Sequence, residues 1–333
     1  MKKKRAIISI LVVVILVGLV LIQIKAWRNF DWGTFLKYTE SVNIFGILTA
    51  IVVIYFNYFL RATRWRVFLR SRQSVRALDL VPSQIIGFTG LALLGRPGEF
   101  IRPYLISRKV NLSFASQLVV WTAERLCDML SVATVLGVTL LIRPDFRHFF
   151  VLPHIRTKAL IAIVAFVLLI AAVLTFSHGL RNKIRRLVAD LSRSVAHDFI
   201  SFVEIIGTSL LMWVLIASSY YFTLHAYPAL HDKIRITDVP LIMGASTLGS
   251  IIQLPGVGGG SQLAVIGILS SPIFGLGHEL AVSAGIMLWL VTFFSVTPTG
   301  LFLAHREKLS FTRLSSESQA EEEAAEASEN AEA

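Results

Sequence analysis

The stretch VPSQIIGFTGLALLGRPGE (Val81–Glu99) decides the fold, because its apolar part (Val81–Gly95) is short and is interrupted by glycine and proline. In the second half of the chain, an apolar part at Val239–Leu254 runs into PGVGGG in the same way. A helix needs about 20 apolar residues to cross a bilayer. An interrupted backbone has polar groups that lipid cannot pair, so it is tolerated at membrane depth only inside protein or beside a water-filled cavity. Both stretches are therefore predicted to be re-entrant segments, which enter a bilayer without crossing it.

Longer apolar runs surround these two segments. They occupy approximately residues 6–24, 43–60, 116–142, 159–177, 201–225 and 279–303. Over the whole chain 55% of residues are hydrophobic and 16% are charged, whereas soluble domains carry about 25% charged residues. The mean hydropathy of +0.69 agrees with this pattern. We predict an all-α polytopic membrane protein with about six transmembrane helices and two oppositely oriented re-entrant segments.

Lysine and arginine residues indicate the sides of the membrane, because they are enriched in cytoplasmic loops. If neither short segment crosses, the basic residues on the cytoplasmic side outnumber those on the outer side more than twofold. If only the first one crossed, the two sides would be almost equal. Two broken segments that open to opposite faces, one in each half, are typical of an inverted-repeat transporter with a site near the midplane. We place the chain in the cell membrane with both termini in the cytoplasm.

The remaining composition excludes several classes of function. The net charge is +11, but the arginines flank apolar runs and no nucleic-acid-binding motif is visible, so the basic residues are expected to meet lipid headgroups. Cys127 is the single cysteine and the histidines have no metal-binding spacing, so we predict no metal and no cofactor. Ser261 and Ser283 lack a His/Asp arrangement, and we predict no enzymatic activity. Residues 315–333, rich in Glu and Ala, are predicted to be a disordered acidic tail after a membrane domain at 1–314.

Two groups of charged residues are candidates for a functional site. The first consists of Arg96, Glu99 and Arg102, beside the first chain break. Glu99 and Arg102 are three residues apart and share a helix face, so this group could bind a phosphate through the forked donors of arginine. An ion pair that only fixes the turn is the alternative.

The second group consists of Glu124, Arg125 and Asp128, well inside the span at 116–142. Each charge at the bilayer centre costs about 3 kcal/mol, so the three must face the helix bundle, pair with one another or line a wet cavity. Arg125 can reach Glu124 or a partner such as Glu99. A structural salt bridge and a pathway for substrate or protons are both compatible with this pattern.

A series of arginines follows the span at 43–60, from Arg61 to Arg76. Its main role is predicted to be topological anchoring at the cytoplasmic interface. Arg64 and Trp65 lie where an arginine and an aromatic ring could also contact lipid headgroups.

Four stretches together resemble the lysylphosphatidylglycerol synthase transmembrane-region family, whose members are also described as flippase-like domain proteins. They are FLRATRW (Phe59–Trp65), LLGRPGEFIRPYLIS (Leu93–Ser107), AERLCD (Ala123–Asp128) and LPGVGGGSQ (Leu254–Gln262). The resemblance implies a lipid-translocating membrane domain, without the cytosolic domain that performs aminoacylation in the full synthases. It gives the status of family motif residues to Gly95, Arg96, Gly98, Glu99, Arg102, Glu124, Arg125 and Asp128.

Three positions depart from the family's pattern. Leu94 stands where proline is usual, and the proline is found at Pro97 instead. Gln262 stands where the second glycine motif commonly ends in glutamate, and Met287–Phe294 lacks an arginine that is common in the last span. We therefore expect the second half to bind a different headgroup or to hold its site with less charge.

The resemblance and the paired breaks together favour a lipid translocase that moves an anionic or aminoacylated phospholipid, or a lipid-linked phosphate, between leaflets. A membrane scaffold that presents lipid to a separately encoded enzyme is the alternative. The residues expected to bind the headgroup are Arg64, Arg96, Gly98, Glu99, Arg102, Glu124, Arg125, Asp128, Pro255, Gly256, Gly259 and Gln262.

Overall fold

The computed structural model of the protein describes residues 30–70, 72–143, 199–251 and 259–331. Within those ranges every regular element is helical. The helical stretches that are long and apolar enough to cross a membrane are Ile44–Leu69, Ala77–Leu94, Phe114–Ile142, Ile200–His225 and His278–Arg306. The prediction of an all-α polytopic membrane protein is confirmed. The predicted spans at 6–24 and 159–177, together with Pro255 and Gly256, lie outside the described residues.

The α-helices of the described residues are numbered along the chain. They are α1 Trp32–Glu40, α2 Ile44–Leu69, α3 Ala77–Leu94, α4 Ile101–Val110, α5 Phe114–Ile142, α6 Phe199–His225, α7 Val239–Gly249, α8 Gly259–Ser270, α9 His278–Trp289, α10 Thr297–Arg306 and α11 Phe311–Ala331. A 3-10 turn at Arg96–Phe100 links α3 to α4, and a π-turn at Leu290–Phe294 lies between α9 and α10. A large buried apolar cluster lies where α6, α7, α8 and α9 meet, and α2 packs against α6 beside it.

Helix α2 is longer than the span predicted at 43–60, since it continues for a further nine residues to Leu69. The arginine series therefore begins inside this helix, where Arg61 and Arg64 are buried. Interfacial anchoring is wrong for these two arginines, because their charges find carboxylate partners inside the helix bundle. Arginine is also a strong helix former, so nothing local ends the helix earlier.

Helices α3 and α4 form a helical hairpin around the first chain break. Gly95 has φ +70° and ψ −146°, a backbone conformation that glycine adopts without the steric cost of a side chain. A side-chain carbon at Gly98 would overlap the carbonyl of Gly90 on the opposite arm, so glycine at this position lets the two arms approach closely. The break and the small residues around it thus produce a tight hairpin.

Helix α3 differs from the segment predicted at 81–95, because it begins at Ala77 and has 18 residues, a length of about 27 Å. Asp79 lies in its first turn, where a negative charge stabilises a helix N-terminus, and it pairs with Arg76. By length and composition the helix is consequently long enough to cross a membrane.

Helices α7 and α8 form a second helical hairpin around the second chain break. They have 11 and 12 residues, so each extends for only about 17 Å. A side-chain carbon at Gly249 would overlap the carbonyl of Gly260, so these two arms also approach closely. Both broken stretches therefore fold as pairs of helices whose arms approach closely at glycine.

The C-terminal segment differs from the disordered tail predicted at 315–333. Its residues as far as Ala331 belong to α11, which lies against α4, α5 and the 3-10 turn. Leu314 and Ser318 are buried in this contact. Alanine and glutamate are strong helix formers, and the apolar start of the helix gives it a surface that packs on the hairpin.

Candidate functional site

Arg64 of α2 lies at the centre of a group of buried charges, with none of its side chain exposed. Its Nη2 atom is 2.6 Å from Glu124 Oε1, and its Nη1 atom is 2.7 Å from Asp128 Oδ1. Glu124 and Asp128 are one turn apart on α5, so they face the same side of that helix. One guanidinium thus bridges two carboxylates with charge-assisted hydrogen bonds.

Two further arginines complete this group, which we call the arginine cluster: Arg61, Arg64, Arg102, Glu124 and Asp128. Arg102 Nη2 of α4 lies 2.5 Å from Glu124 Oε2. Arg61 Nη1 lies 3.7 Å from Glu124 Oε1 and 3.8 Å from Asp128 Oδ2. Because three arginines face two carboxylates, the cluster carries one excess positive charge.

Aromatic rings lie against two of these arginines. The Arg102 guanidinium is 4.7 Å from the Trp65 ring centre and 5.1 Å from the Phe88 ring centre. The Arg61 guanidinium is 4.8 Å from the same Phe88 ring. Such cation–π contacts contribute up to about 2 kcal/mol when they are shielded from water. They help to stabilise positive charge that the carboxylates do not fully neutralise.

Two neutral side chains from other helices also bond to the arginines. Gln84 Oε1 of α3 accepts a hydrogen bond from Arg102 Nη1 at 3.1 Å. Ser209 Oγ of α6 accepts one from Arg64 Nη1 at 2.7 Å. Both lie in apolar runs that contain other polar side chains, and nothing in the sequence distinguishes them, so sequence reasoning missed them.

A regular spacing of polar residues on α2 could have revealed another member of the site. Asn57 Oδ1 accepts a hydrogen bond from Arg61 Nε at 3.1 Å. Asn57, Arg61 and Arg64 follow each other at intervals of four and three residues, which places them on one helix face. Polar residues at this spacing within an apolar run indicate an inward-facing polar stripe, which is what the structure shows.

Glu99 belongs to a second group of charges, in the 3-10 turn between α3 and α4. Its Oε1 atom lies 3.0 Å from Arg125 Nη2 of α5 and 3.2 Å from Arg96 Nη1. We call Arg96, Glu99 and Arg125 the turn group. Glu99 is 10% exposed, whereas Arg125 and Arg96 are 38% and 47% exposed, so this group is open on one side. Of the two partners considered for Arg125 from the sequence, the structure selects Glu99.

Arg96 also joins the two hairpins. Its Nη2 atom donates to the backbone carbonyls of Ser250 at 3.2 Å and Ile251 at 3.1 Å, just after α7. Carbonyls at the end of a helix lack partners within the helix, and a side-chain donor can satisfy them. The end of α7, where the second chain break begins, therefore lies next to the first break.

A small cleft lies between the arginine cluster and the turn group. It is lined by Gly87, Phe88, Leu91, Glu99, Arg102 and Arg125. Its volume is about 10 Å³, which is room for about one water molecule. Arg102 of the arginine cluster and Arg125 of the turn group thus face the same narrow space.

The arrangement suits an anion better than a metal ion. Among the residues that the structure describes, no group of His, Cys, Asp or Glu side chains could hold a metal. The carboxylates of both groups lie against arginines, and five arginines face three carboxylates in total. Guanidinium groups match the geometry of phosphate and carboxylate oxygens. The chemistry available is therefore the binding and orientation of a negatively charged group.

Comparison with known proteins identifies the family of the chain. Residues 6–300 match the family described as the lysylphosphatidylglycerol synthase TM region. This chain belongs to that family. The resemblance inferred from the motifs is thereby confirmed. Neither a curated protein nor a solved structure matches the chain.

Most of the predicted site residues of this lysylphosphatidylglycerol synthase TM-region protein meet at the first hairpin. The charged ones brought together there are Arg64, Arg96, Glu99, Arg102, Glu124, Arg125 and Asp128. Gly98 forms the close contact between the hairpin arms. Gly259 is buried at the start of α8 with φ +57°, and Gln262 is half-buried on the same helix. The charged part of the site is thus built by α2, α4, α5 and the first break.

Proposed function

We propose that this protein is a lipid translocase of the cell membrane, which moves an anionic or aminoacylated phospholipid, or a lipid-linked phosphate, between leaflets. The observation that carries the proposal is the excess of positive charge in the arginine cluster, where three arginines face two carboxylates. Membership of the synthase TM-region family supports a role that involves lipid. The proposal includes no covalent step.

The excess charge explains why an anionic headgroup would be favoured over a neutral one. An arginine charge at membrane depth that lacks a partner costs about 3 kcal/mol on insertion scales. A phosphate beside the cluster would offset this cost and would accept forked hydrogen bonds from the guanidinium groups. An aminoacylated headgroup also carries an ammonium, for which Glu99 is a carboxylate at the edge of the cleft.

In the topology that we propose, the α3–α4 hairpin enters from the cytoplasm and the α7–α8 hairpin enters from the outer face, with both termini in the cytoplasm. The unequal distribution of basic residues between the loops supports this orientation. Opposed broken helices are where inverted-repeat transporters hold their substrate. The bonds from Arg96 to the end of α7 are consistent with a site at which the two hairpins meet.

The cleft in this state is too small for a headgroup, because it holds about one water molecule. Headgroup binding therefore requires the α3–α4 hairpin to move away from α5. That movement must separate Glu99 from Arg125, whose ion pair spans the two elements. This partly exposed ion pair contributes about 1 kcal/mol or less. The same movement also acts on the buried pair of Arg102 in α4 with Glu124 in α5, which costs more to break, so the headgroup must replace Glu124 as a partner of Arg102.

A lipid transfer assay on proteoliposomes tests the proposal. The vesicles contain a fluorescent phosphatidylglycerol analogue, and an impermeant quencher reports whether the inner leaflet has exchanged with the outer one. Arg125→Gln should slow transfer about tenfold or more, because it removes a positive charge that would meet the phosphate. Glu99→Gln should do the same for an aminoacylated analogue, whose ammonium the Glu99 carboxylate would meet. The matched controls are Arg70→Gln and Glu204→Gln, which remove an exposed 2.7 Å ion pair outside the cleft. They should transfer lipid at the wild-type rate.

A failure of wild-type protein to transfer any of the expected lipids would overturn the proposal. Wild-type protein that moves neither phosphatidylglycerol, nor its aminoacylated derivative, nor an isoprenoid phosphate is not a translocase for these lipids. If that protein also co-purified with one membrane or cytosolic enzyme and bound the lipid product of that enzyme, its role would be to present lipid to the enzyme.

A further inference from the structure

A separate cavity of about 500 Å³ lies between the end of α4 and the junction of α10 with α11. This volume falls within the range of about 300–1,000 Å³ that is usual for small-ligand sites. No residue of the arginine cluster or of the turn group lines it. In the proposed topology the cavity faces the cytoplasm. It is therefore a candidate site distinct from the one described above.

Positive charge exceeds negative charge around this cavity. Four cationic and two acidic side chains line it: Arg108, Lys109, Lys308, Arg313, Glu307 and Glu317. The lining also includes Leu105, Leu309 and Leu314, so one wall is apolar. A pocket with cationic and apolar walls at a membrane face suits the headgroup region of an anionic lipid.

The cavity already binds one anion, which is the carboxylate of Glu317 from the protein itself. Glu317 Oε2 accepts a hydrogen bond from the Tyr104 hydroxyl at 2.7 Å, and Glu317 Oε1 accepts one from Arg313 Nε at 2.6 Å. Arg108 Nη1 lies 4.0 Å from Glu317 Oε2 and donates to the Tyr104 hydroxyl at 2.8 Å. Two hydrogen-bond donors, Tyr104 and Arg313, and the nearby charge of Arg108 thus converge on a single carboxylate.

These bonds are weak enough to be exchanged. The side chains of Arg108 and Arg313 are 69% and 79% exposed, so water and salt screen their attraction to the Glu317 carboxylate. A phosphate offers more acceptor oxygens and at least as much negative charge as one carboxylate. It would therefore compete for the same donors.

We propose that this cavity binds a phosphate group, carried by a lipid headgroup or free in solution, which replaces the Glu317 carboxylate on Arg108, Arg313 and Tyr104. Lys308 and Lys109 neutralise the rest of its charge. Because Glu317 belongs to α11, an occupied cavity releases one of the contacts that hold α11 against α4. The site does not depend on translocation, and its occupant need not be the transported lipid.

The test measures binding to the full-length protein in two forms. In phosphatidylcholine nanodiscs, the binding of a labelled phosphatidylglycerol is compared between wild-type and variant protein. In detergent, the thermal stability of the protein is measured with inorganic phosphate and with chloride at equal ionic strength, since a ligand of the folded state raises Tm. The variant is Arg108→Gln with Arg313→Gln. The matched control is Arg72→Gln with Arg76→Gln, which removes two exposed charges away from the cavity.

The expected result is a loss of affinity of about tenfold or more in the cavity variant, with the control close to wild type. Glu317→Gln removes the internal competitor and should bind several-fold more tightly, which a merely misfolded variant would not do. A phosphate-specific rise in Tm identifies free phosphate as the source. Binding of phosphatidylglycerol without that rise identifies a lipid headgroup. Either source supports the proposal.

Equal binding by wild type and by the cavity variant would overturn the proposal, and so would weaker binding by Glu317→Gln. Failure of the translocase proposal is recognised separately, because it appears in the transfer assay and leaves these binding measurements unchanged. Conversely, if the protein transfers lipid normally while the cavity variant binds phosphate and phosphatidylglycerol as tightly as wild type does, only the present inference fails.

Discussion

Arg125 of α5 lies 3.0 Å from Glu99 of the 3-10 turn, and this ion pair joins the first hairpin to the helix that carries both carboxylates of the arginine cluster. Arg125 follows Glu124 directly in the sequence. One helical turn of α5 therefore presents an acid to the buried cluster and a base to the accessible turn group. Any movement of the hairpin relative to α5 acts on both groups at once.

The burial of Arg64 predicts a large effect on stability. Arg64→Met keeps the length of the side chain but leaves Glu124 and Asp128 with less neutralising charge. Removal of one member of a buried ion pair costs about 3–5 kcal/mol, so the unfolding temperature in detergent should fall steeply. Arg70→Met, at an exposed ion pair, should cost about 1 kcal/mol or less. Equal losses in the two variants would show that the Arg64 charge is not held as described.

A partial rescue provides the control for that result. Asp128→Asn in the Arg64→Met background removes one of the carboxylates that has lost its partner. It should recover part of the stability, because Asp128 in that background is a buried carboxylate whose remaining arginine partner, Arg61, lies at 3.8 Å, and its asparagine replacement carries no charge. If Asp128→Asn destabilises the Arg64→Met protein as much as it destabilises wild type, the two residues are not coupled.

The contact of Gly98 with Gly90 predicts that the first hairpin tolerates no side chain at position 98. Gly98→Ala places a methyl group where the Gly90 carbonyl lies, so the arms must separate. Overpacking of this kind costs about 1–3 kcal/mol, and thermal unfolding should show the loss. Gly137→Ala on α5 is the matched change, because a carbon there meets nothing within 4 Å. It should be neutral or stabilising by up to about 1 kcal/mol, since alanine favours a helix.

The bonds of Glu317 predict that the contact of α11 weakens in acid. The pKa of Glu317 lies below its usual value of 4.5, because the Tyr104 hydroxyl and then Arg313 donate hydrogen bonds to its carboxylate. A carboxyl whose pKa is lower in the folded state stabilises the fold above its unfolded pKa, and that stabilisation is lost as the pH falls through the folded-state pKa. Wild type should therefore have a higher Tm than Glu317→Gln at neutral pH. The difference should shrink once the pH falls below 4.5.

Glu323→Gln is the control for this pH dependence, as an exposed acid on the same helix. Its difference in Tm from wild type should stay nearly constant over the same interval. A Glu317→Gln variant that follows the wild-type Tm at every pH would show that the carboxylate does not hold α11.

The proposed re-entrant path of the first hairpin predicts which residues share a side of the membrane. Arg72 precedes α3 and Lys109 lies near the end of α4, and both are exposed. In a Cys127→Ala background, Arg72→Cys and Lys109→Cys should react with an impermeant thiol reagent from the same face. If the two cysteines react from opposite faces, the chain crosses the membrane between them and the hairpin is not re-entrant.

Local signals in the sequence were sufficient to locate the breaks and the inward-facing acids. Glycine allows unusual backbone conformations and proline lacks an N–H, so Gly95 and Pro97, close together at the end of an apolar run, mark the first break. The cost of charge at membrane depth requires Glu124 and Asp128 to face the bundle, and both are buried. The family motifs agreed with these positions because they contain the same residues.

The identity of the partners could not be predicted, because it depends on contacts between distant parts of the chain. Arg64 is 60 positions before Glu124, and only the folded arrangement shows that they meet. The end of α2 was misplaced for the same reason, since the carboxylates of α5 are what allow charged residues inside the helix. Gln84 is a further case, as its bond to Arg102 exists only because the hairpin folds back on itself.

The two hydrogen bonds from Arg96 to the carbonyls of Ser250 and Ile251 have a mechanical consequence. Arg96 in the first hairpin binds the C-terminal end of α7 in the second hairpin. Neither hairpin can therefore move away from the other without breaking these hydrogen bonds. This contact couples the two hairpins. An opening toward one leaflet would be transmitted to the opposite half through a side chain that contacts both.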